Sequence, residues 1–393
     1  MADTPEQAPE RGIDQSDVLE KYKAAGAIAD QAMDVLGKAA YAGMAVRTMC
    51  QLGDAVITKT AAGVYSKART DTGEKLEKGV SFPTCVCINN CASHFCPIET
   101  DPEADTVLSG GDIITVQLGA HIDGYSAMAS QTLVVKESKE AQEPPVATGR
   151  KADVITAAYT AAEAVLRLMR PGKSNEEVSE MIGRIAKMYG VEPLEGTLSH
   201  QMKRYVIDGS KVIMNKQTLE ARADKWEFEA YEVYNLDIVM STGEGKAIER
   251  NTRETVYKRQ VDVDYKLKLK TSRQVFSEIN KAYPALPFTL RALSDPKRSR
   301  MAMTEMVKHM LVVPYPVLYE KDDAIVARCS VTVLVTPNQT SVVNKKSMPA
   351  VDCKISIEDE EVKALLATSM DKKKKKKKKK KATMEVDGEA MES

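Results

Sequence analysis

Apolar residues first recur at helical spacing: Val18, Tyr22, Ala25, Ile28, Ala32 and Val35 predict a helix running from Asp14. Gly43 interrupts the pattern, and a second helical run covers residues 46–66. The period then changes. An apolar run at 113–118 leads through Asp123-Gly124 to a second at 127–135. Asp-Gly between two apolar runs predicts a β-hairpin. The same order returns after Lys151, with a helical stretch at 152–169, a break at Arg170-Pro171-Gly172 and a second helix behind it. Ser174 and Glu177 form a capping box for that helix, and Gly190 is its C-terminal stop. Strand-like segments follow at 211–214 and 232–240. Two runs of helix, break, helix and strands imply an α+β domain with pseudo-two-fold symmetry, a central antiparallel sheet and a site between the halves.

Beyond the second half the pattern is less regular. Residues 246–273 hold nine basic and four acidic side chains. In 265–270 Lys266, Lys268 and Lys270 alternate with leucines, which predicts a strand with its lysines on one face. Such a strand is either a protected edge or a positive stripe for a phosphate backbone. Residues 274–320 read as a compact helical insert with helices at 275–283, 288–293 and 300–311. A last strand at 324–335 and a short amphipathic helix at 358–370 complete the pattern.

The chain has 393 residues, 43% of them apolar, enough for a large core. No apolar stretch is long enough to span a bilayer, and the polar N-terminus has no signal-peptide core. Seven irregularly spaced cysteines suggest free thiols in a reducing compartment; Cys85, Cys87, Cys91 and Cys96 lack the paired spacing of a structural zinc site. The formal net charge of zero hides two opposite blocks. The first twenty residues carry six acids against Arg11 alone, and the tail carries ten consecutive lysines. These blocks set the expected organisation: a disordered acidic segment at 1–13, one folded domain at 14–367 with its insert at about 254–320, and a disordered Lys-rich tail at 368–393.

Long motifs carry a family likeness. FPT-x4-NNCASHF from Phe82, GDIITVQLGAHIDG from Gly111, GTLSHQMK from Gly196, VYNLDIVMSTGEGKA from Val233, and PFTLRAL through VLYEK to TVLVTPN resemble type 2 methionine aminopeptidases. LSHQMKRYVIDG, YKLKLKTSR and the Lys-rich tail resemble the proliferation-associated, ErbB-receptor-binding branch of that superfamily. The resemblance runs from about Asp14 to the tail and implies the pita-bread fold.

It also implies where a metal centre would lie. An active member of the superfamily holds two divalent metals with two Asp on the hairpin, one His and two Glu. Those positions fall on Gln117, Met128, His200, Asp237 and Ser330. Only His200 and Asp237 keep a ligand chemistry, and one carboxylate cannot offset two divalent cations. His94 matches the substrate-proximal His. The expectation is a degenerate site with no catalytic residue, no metal and no cofactor.

Function is then expected on surfaces. The resemblance implies binding to structured RNA and to the large ribosomal subunit near the nascent-chain exit, in ribosome biogenesis, translation or growth regulation. Docking candidates are Lys258, Arg259, Lys266, Lys268, Lys270, Lys297 and Arg298. The tail adds Lys372, Lys373, Lys374, Lys375, Lys376, Lys377, Lys378, Lys379, Lys380 and Lys381. With only 5% aromatic residues, shape and phosphate contacts are expected rather than readout of single-stranded bases. The family's Leu-x-x-Leu-Leu coregulator motif falls on Val362, Leu365 and Leu366, with Val in place of the first Leu. Protein-partner coregulation and an active aminopeptidase remain alternative readings. The expected setting is a monomer in the cytoplasm and the nucleus or nucleolus, with no membrane association.

Overall fold

A computed structural model describes residues 11–70, 73–218 and 221–368. Outside the insert the predicted helices and strands are present with shifted ends. Helices α1 (Ser16–Ala39) and α2 (Val46–Gly63) are followed by strands β1 (Lys78–Ile88), β2 (Ile113–Ile122) and β3 (Tyr125–Val134). Strands β2 and β3 pair antiparallel across a two-residue turn. Asp123 and Gly124 have φ of 56° and 77° there, the left-handed pair that a tight hairpin needs. Asp123 is buried and bonds Lys21 at 2.8 Å and Arg204 at 2.6 Å, which ties the turn to α1 and to the second half.

The second half repeats the order with α3 (Gly149–Leu168), α4 (Asn175–Met188), β4 (Leu198–Met202), β5 (Val212–Met214) and β6 (Glu232–Ser241). Both bonds of the Ser174–Glu177 capping box form at the start of α4. An insert follows, consisting of β7 (Val256–Arg259), α5 (Lys270–Ala282), β8 (Phe288–Thr289), α6 (Pro296–Lys308) and β9 (Val312–Pro314). Strand β10 (Val326–Val335) and helix α7 (Glu360–Ala367) end the described chain. The central sheet runs β1-β2-β3-β10-β6-β4-β5, so the last long strand lies between the two halves.

Alternation along these strands separates core from site. Val116, Leu118 and Ala120 of β2 enter the apolar core of the first half. Leu236, Ile238 and Met240 of β6, with Ala327, Cys329, Val331 and Val333 of β10, enter the core under α3 and α4. The opposite face of the same strands carries Gln117, Asn235, Asp237, Arg328, Ser330 and Thr332, all buried.

The insert departs from the sequence expectation in three ways. Residues 265–269 join no strand ladder: Leu267 is buried in the insert core, Leu269 is 58% exposed, and α5 starts at Lys270. The expected helix at 288–293 is a short strand followed by a 3-10 turn at Leu290–Ala292, and β8, β7 and β9 form a three-stranded sheet. The expected third helix begins earlier, at Pro296, capped by the Asp295 side chain on the Arg298 N–H. At the N-terminal boundary, Ile13 is buried and Arg11 pairs with Asp17 at 3.0 Å. Lys372 to Lys381 lie outside the described residues.

Candidate functional site

Strand register builds the site. Gln117 lies opposite Ser130 on β3, Ser130 opposite Ser330 on β10, and Ser330 opposite Asp237 on β6. The next row sets Gly119 against Met128, and Thr332 against Asn235, which in turn faces His200 on β4. The four strands from Gln117 to Asp237 come from three separate parts of the chain. They close over a cavity of about 170 Å³ whose walls include His94, Gln117, Met128, His200 and Asp237. Ser330 is outside that wall; its hydroxyl donates to Asn235 Oδ1 at 2.7 Å.

The residue that sequence reasoning missed is Arg328. It sits two positions before Ser330 on β10 and reaches diagonally into the row of Gln117 and Asp237. Its Nε donates to Asp237 Oδ1 at 2.8 Å, its Nη2 to Asp237 Oδ2, and its Nη1 to Gln117 Oε1 at 3.3 Å. Arg328 is 4% exposed and Asp237 3%. Burial works against the guanidinium charge, and the Asp237 carboxylate outweighs it, so Arg328 holds its proton above the usual arginine range. The only hint in the sequence was one arginine inside an otherwise uncharged strand, VARCSVTVLV.

The two histidines are fixed by carbonyls. His94 Nδ1 bonds the Pro316 carbonyl at 3.0 Å, and His200 Nδ1 bonds the Gly209 carbonyl at 3.2 Å. A carbonyl only accepts, so each Nδ1 carries the proton and each Nε2 is left as an acceptor in the neutral ring. Burial first and the Arg328 charge second push His94 down to about 4, so its ring is neutral at pH 7. His94 adopts φ of 64° and packs with Phe82 and Tyr315, at ring distances of 5.9 and 5.1 Å. The Met128 sulfur faces the Ser81 hydroxyl at 3.9 Å. Asp208, also in the wall, is paired with Lys258.

A family model for metallopeptidase family M24 matches residues 20–245. The chain belongs to family M24. Within M24 it is 41% identical over 93% of its length to ERBB-3 binding protein 1 of Solanum tuberosum, covering 92% of that protein. Identity to proliferation-associated protein A of Dictyostelium discoideum is 41%, over 90% of this chain and 89% of the other. These relatives place it in the proliferation-associated, ErbB-3-binding branch. The solved structure of a thermophilic Arx1 superposes with a TM-score of 0.83 at 29% identity, covering 91% of this chain and 99% of the other. The sheet with its paired helices is the pita-bread fold of M24.

The metals that M24 implies do not fit the donor set present here. Three of the five ligand positions hold Gln117, Met128 and Ser330, which supply no anion. Both oxygens of Asp237, the remaining carboxylate, are bound by Arg328. The guanidinium provides a positive charge at the carboxylate where M24 enzymes hold metal.

The surface candidates are dispersed. Lys258 is bound to Asp208 at 2.5 Å, and Arg259 donates to the Pro284 carbonyl and lies against the Phe276 ring, so both are engaged within the fold. Lys266, Lys268 and Lys270 are exposed, with the Lys268 backbone N–H on Glu305 near the end of α6. Lys297 and Arg298 are exposed at the opposite end of that helix, where Arg298 also meets Gln274 of α5. Val362 is buried, and Leu365 and Leu366 pack on the second-half core. Arg184 of α4 anchors α7 through Asp359 at 2.7 Å and through Glu361.

Proposed function

We propose that this M24 chain is catalytically silent and acts through its surface, binding structured RNA and the large ribosomal subunit near the nascent-chain exit. The observation that carries the first part is the capture of Asp237 by Arg328, beside hairpin positions that have lost both carboxylates. A hydrolytic M24 centre needs metal-activated water, and this site offers no anionic cradle for the ions. Purified protein is expected to give no turnover of a Met-Ala-Ser peptide with added cobalt or manganese. Turnover that His200→Ala abolishes would overturn this.

The RNA reading is supported by exposed Lys266, Lys268, Lys270, Lys297 and Arg298 together with the ten-lysine block in the sequence. The same block suits nuclear or nucleolar delivery alongside a cytoplasmic role. Among the described residues no helix is long and apolar enough to cross a membrane. Co-sedimentation with ribosomes should weaken steeply as salt rises. Charge reversal at Lys266, Lys268 and Lys270 should lower the slope of log affinity against log salt by about 1 for each phosphate no longer neutralised. Salt-independent association, or association unchanged after both charge reversal and removal of the tail, sinks the electrostatic account.

A further inference from the structure

The cavity is a polar pocket without net charge. Its two carboxylates are neutralised, Asp237 by Arg328 and Asp208 by Lys258. A cationic ligand would meet a guanidinium and find no free anion. An anionic ligand would have to compete with Asp237 for Arg328. Either charge would be desolvated without a partner, so the walls favour a neutral molecule.

Hydrogen-bonding capacity narrows the class. Each terminal nitrogen of Arg328 makes one bond to the protein and carries two hydrogens, so each keeps one for a ligand acceptor. His94 and His200 commit Nδ1 to backbone carbonyls and keep Nε2 as an acceptor. Phe82, Tyr315 and Leu318 form an apolar side of the same cavity. The ligand therefore needs a carbonyl oxygen, an N–H beside it and an apolar arm.

We propose that this cavity is a binding site for a neutral acylated amine. Its carbonyl oxygen accepts from Arg328, its N–H donates to His94 or His200, and its apolar arm lies against Phe82, Tyr315 and Leu318. The site selects against the free ammonium form of the same molecule. This goes beyond the RNA reading and is tested without RNA, so either can fail alone.

The test is a titration of the full chain labelled with 13C at its methionine methyl groups, with the Met128 resonance assigned through Met128→Leu. Three compounds share the leucine body: N-acetylleucinamide is neutral, leucinamide has a free ammonium where the acetylated nitrogen was, and N-acetylleucine has a carboxylate in place of the amide. The neutral compound should shift Met128 and bind at least about tenfold more tightly than either charged one, the penalty of one unmatched charge. Tyr315→Ala, which leaves the ion pair intact, should weaken the neutral compound. Arg328→Gln combined with Asp237→Asn should weaken it too, because the two free guanidinium donors are lost. An N-acetylated Leu-Ala-Ser-Gly amide serves as a fourth arm. Binding of that peptide at similar affinity assigns the site to blocked chain ends, and its exclusion assigns it to small N-acyl amides; the proposal holds in both cases. It is overturned if N-acetylleucinamide leaves Met128 unmoved at millimolar concentration, if leucinamide binds equally well, or if Tyr315→Ala changes nothing.

Discussion

Replacing Arg328 by methionine is expected to destabilise the protein by about 3–5 kcal/mol, because it strands the Asp237 carboxylate in a site 3% exposed to water. The converse change, Asp237→Leu, strands the guanidinium and should have an effect of the same order. The informative variant is the pair. With both charges removed, the desolvation penalty disappears along with the attraction, so Arg328→Met/Asp237→Leu should lose less than either single change. Urea unfolding measures all three, with a constant m-value showing that the denatured state has not shifted. Single effects below about 1 kcal/mol, or a double variant equal to their sum, would mean that the pair is not acting as a buried unit.

That prediction has a functional side. Gln117, Ser330 and Asp237 lie on β2, β10 and β6, and β10 joins the two halves of the sheet. Metal ions in an M24 enzyme would draw those strands together through anionic ligands. Here a side chain of β10 bonds across to β2 and β6, so the crossing is held by the chain's own charges. The pocket keeps its walls while its donor set changes, which is why a neutral ligand, and not a metal-bound one, is the match.

How much of this was legible depended on the range of the interaction. The hairpin was readable because alternation and Asp123-Gly124 are local signals, and the α4 capping box because its partners are three residues apart. Gln117, Met128, His200, Asp237 and Ser330 were placed through the motifs around them. Arg328 was not readable in its role. Its partners are 91 and 211 positions away, and nothing local tells a charged residue on the site face from one facing water. The reading of 265–270 failed for the reverse reason: alternation is local, whereas a strand needs a neighbour. With no ladder beside it, Leu267 is drawn into the insert core with Tyr265 packed against that core, and Leu269 is left outside as α5 begins. Lys258 and Arg259 looked like free cations because their partners, Asp208 and the Pro284 carbonyl, lie outside the basic stretch.

Acid should unfold this protein through two histidines. Burial is the main cause that pushes His94 and His121 each down to about 4, with the Arg328 charge adding to the effect at His94, and Glu77 and Asp123 opposing it at His121. His121 has a second reason to stay neutral, since its Nδ1 accepts the Gly124 N–H at 3.2 Å and a proton there would break that bond at the hairpin turn. Because both folded values lie below the ordinary 6.5, the unfolded chain takes up protons first. Stability is therefore unaffected above about pH 6.5, falls as pH drops from there towards 4, and is fully reduced below that. A depression of this size corresponds to about 3 kcal/mol for each ring. Urea unfolding at pH 7.5, 5.5 and 4.5 should show the fall. His94→Asn suits the left-handed backbone and can still donate to Pro316, and His121→Asn can still accept from Gly124. Each substitution should flatten the profile by up to about 3 kcal/mol between pH 7.5 and 4.5, and the double variant by about twice that. A double variant whose stability falls as steeply as that of the parent chain would show that acid acts through other groups.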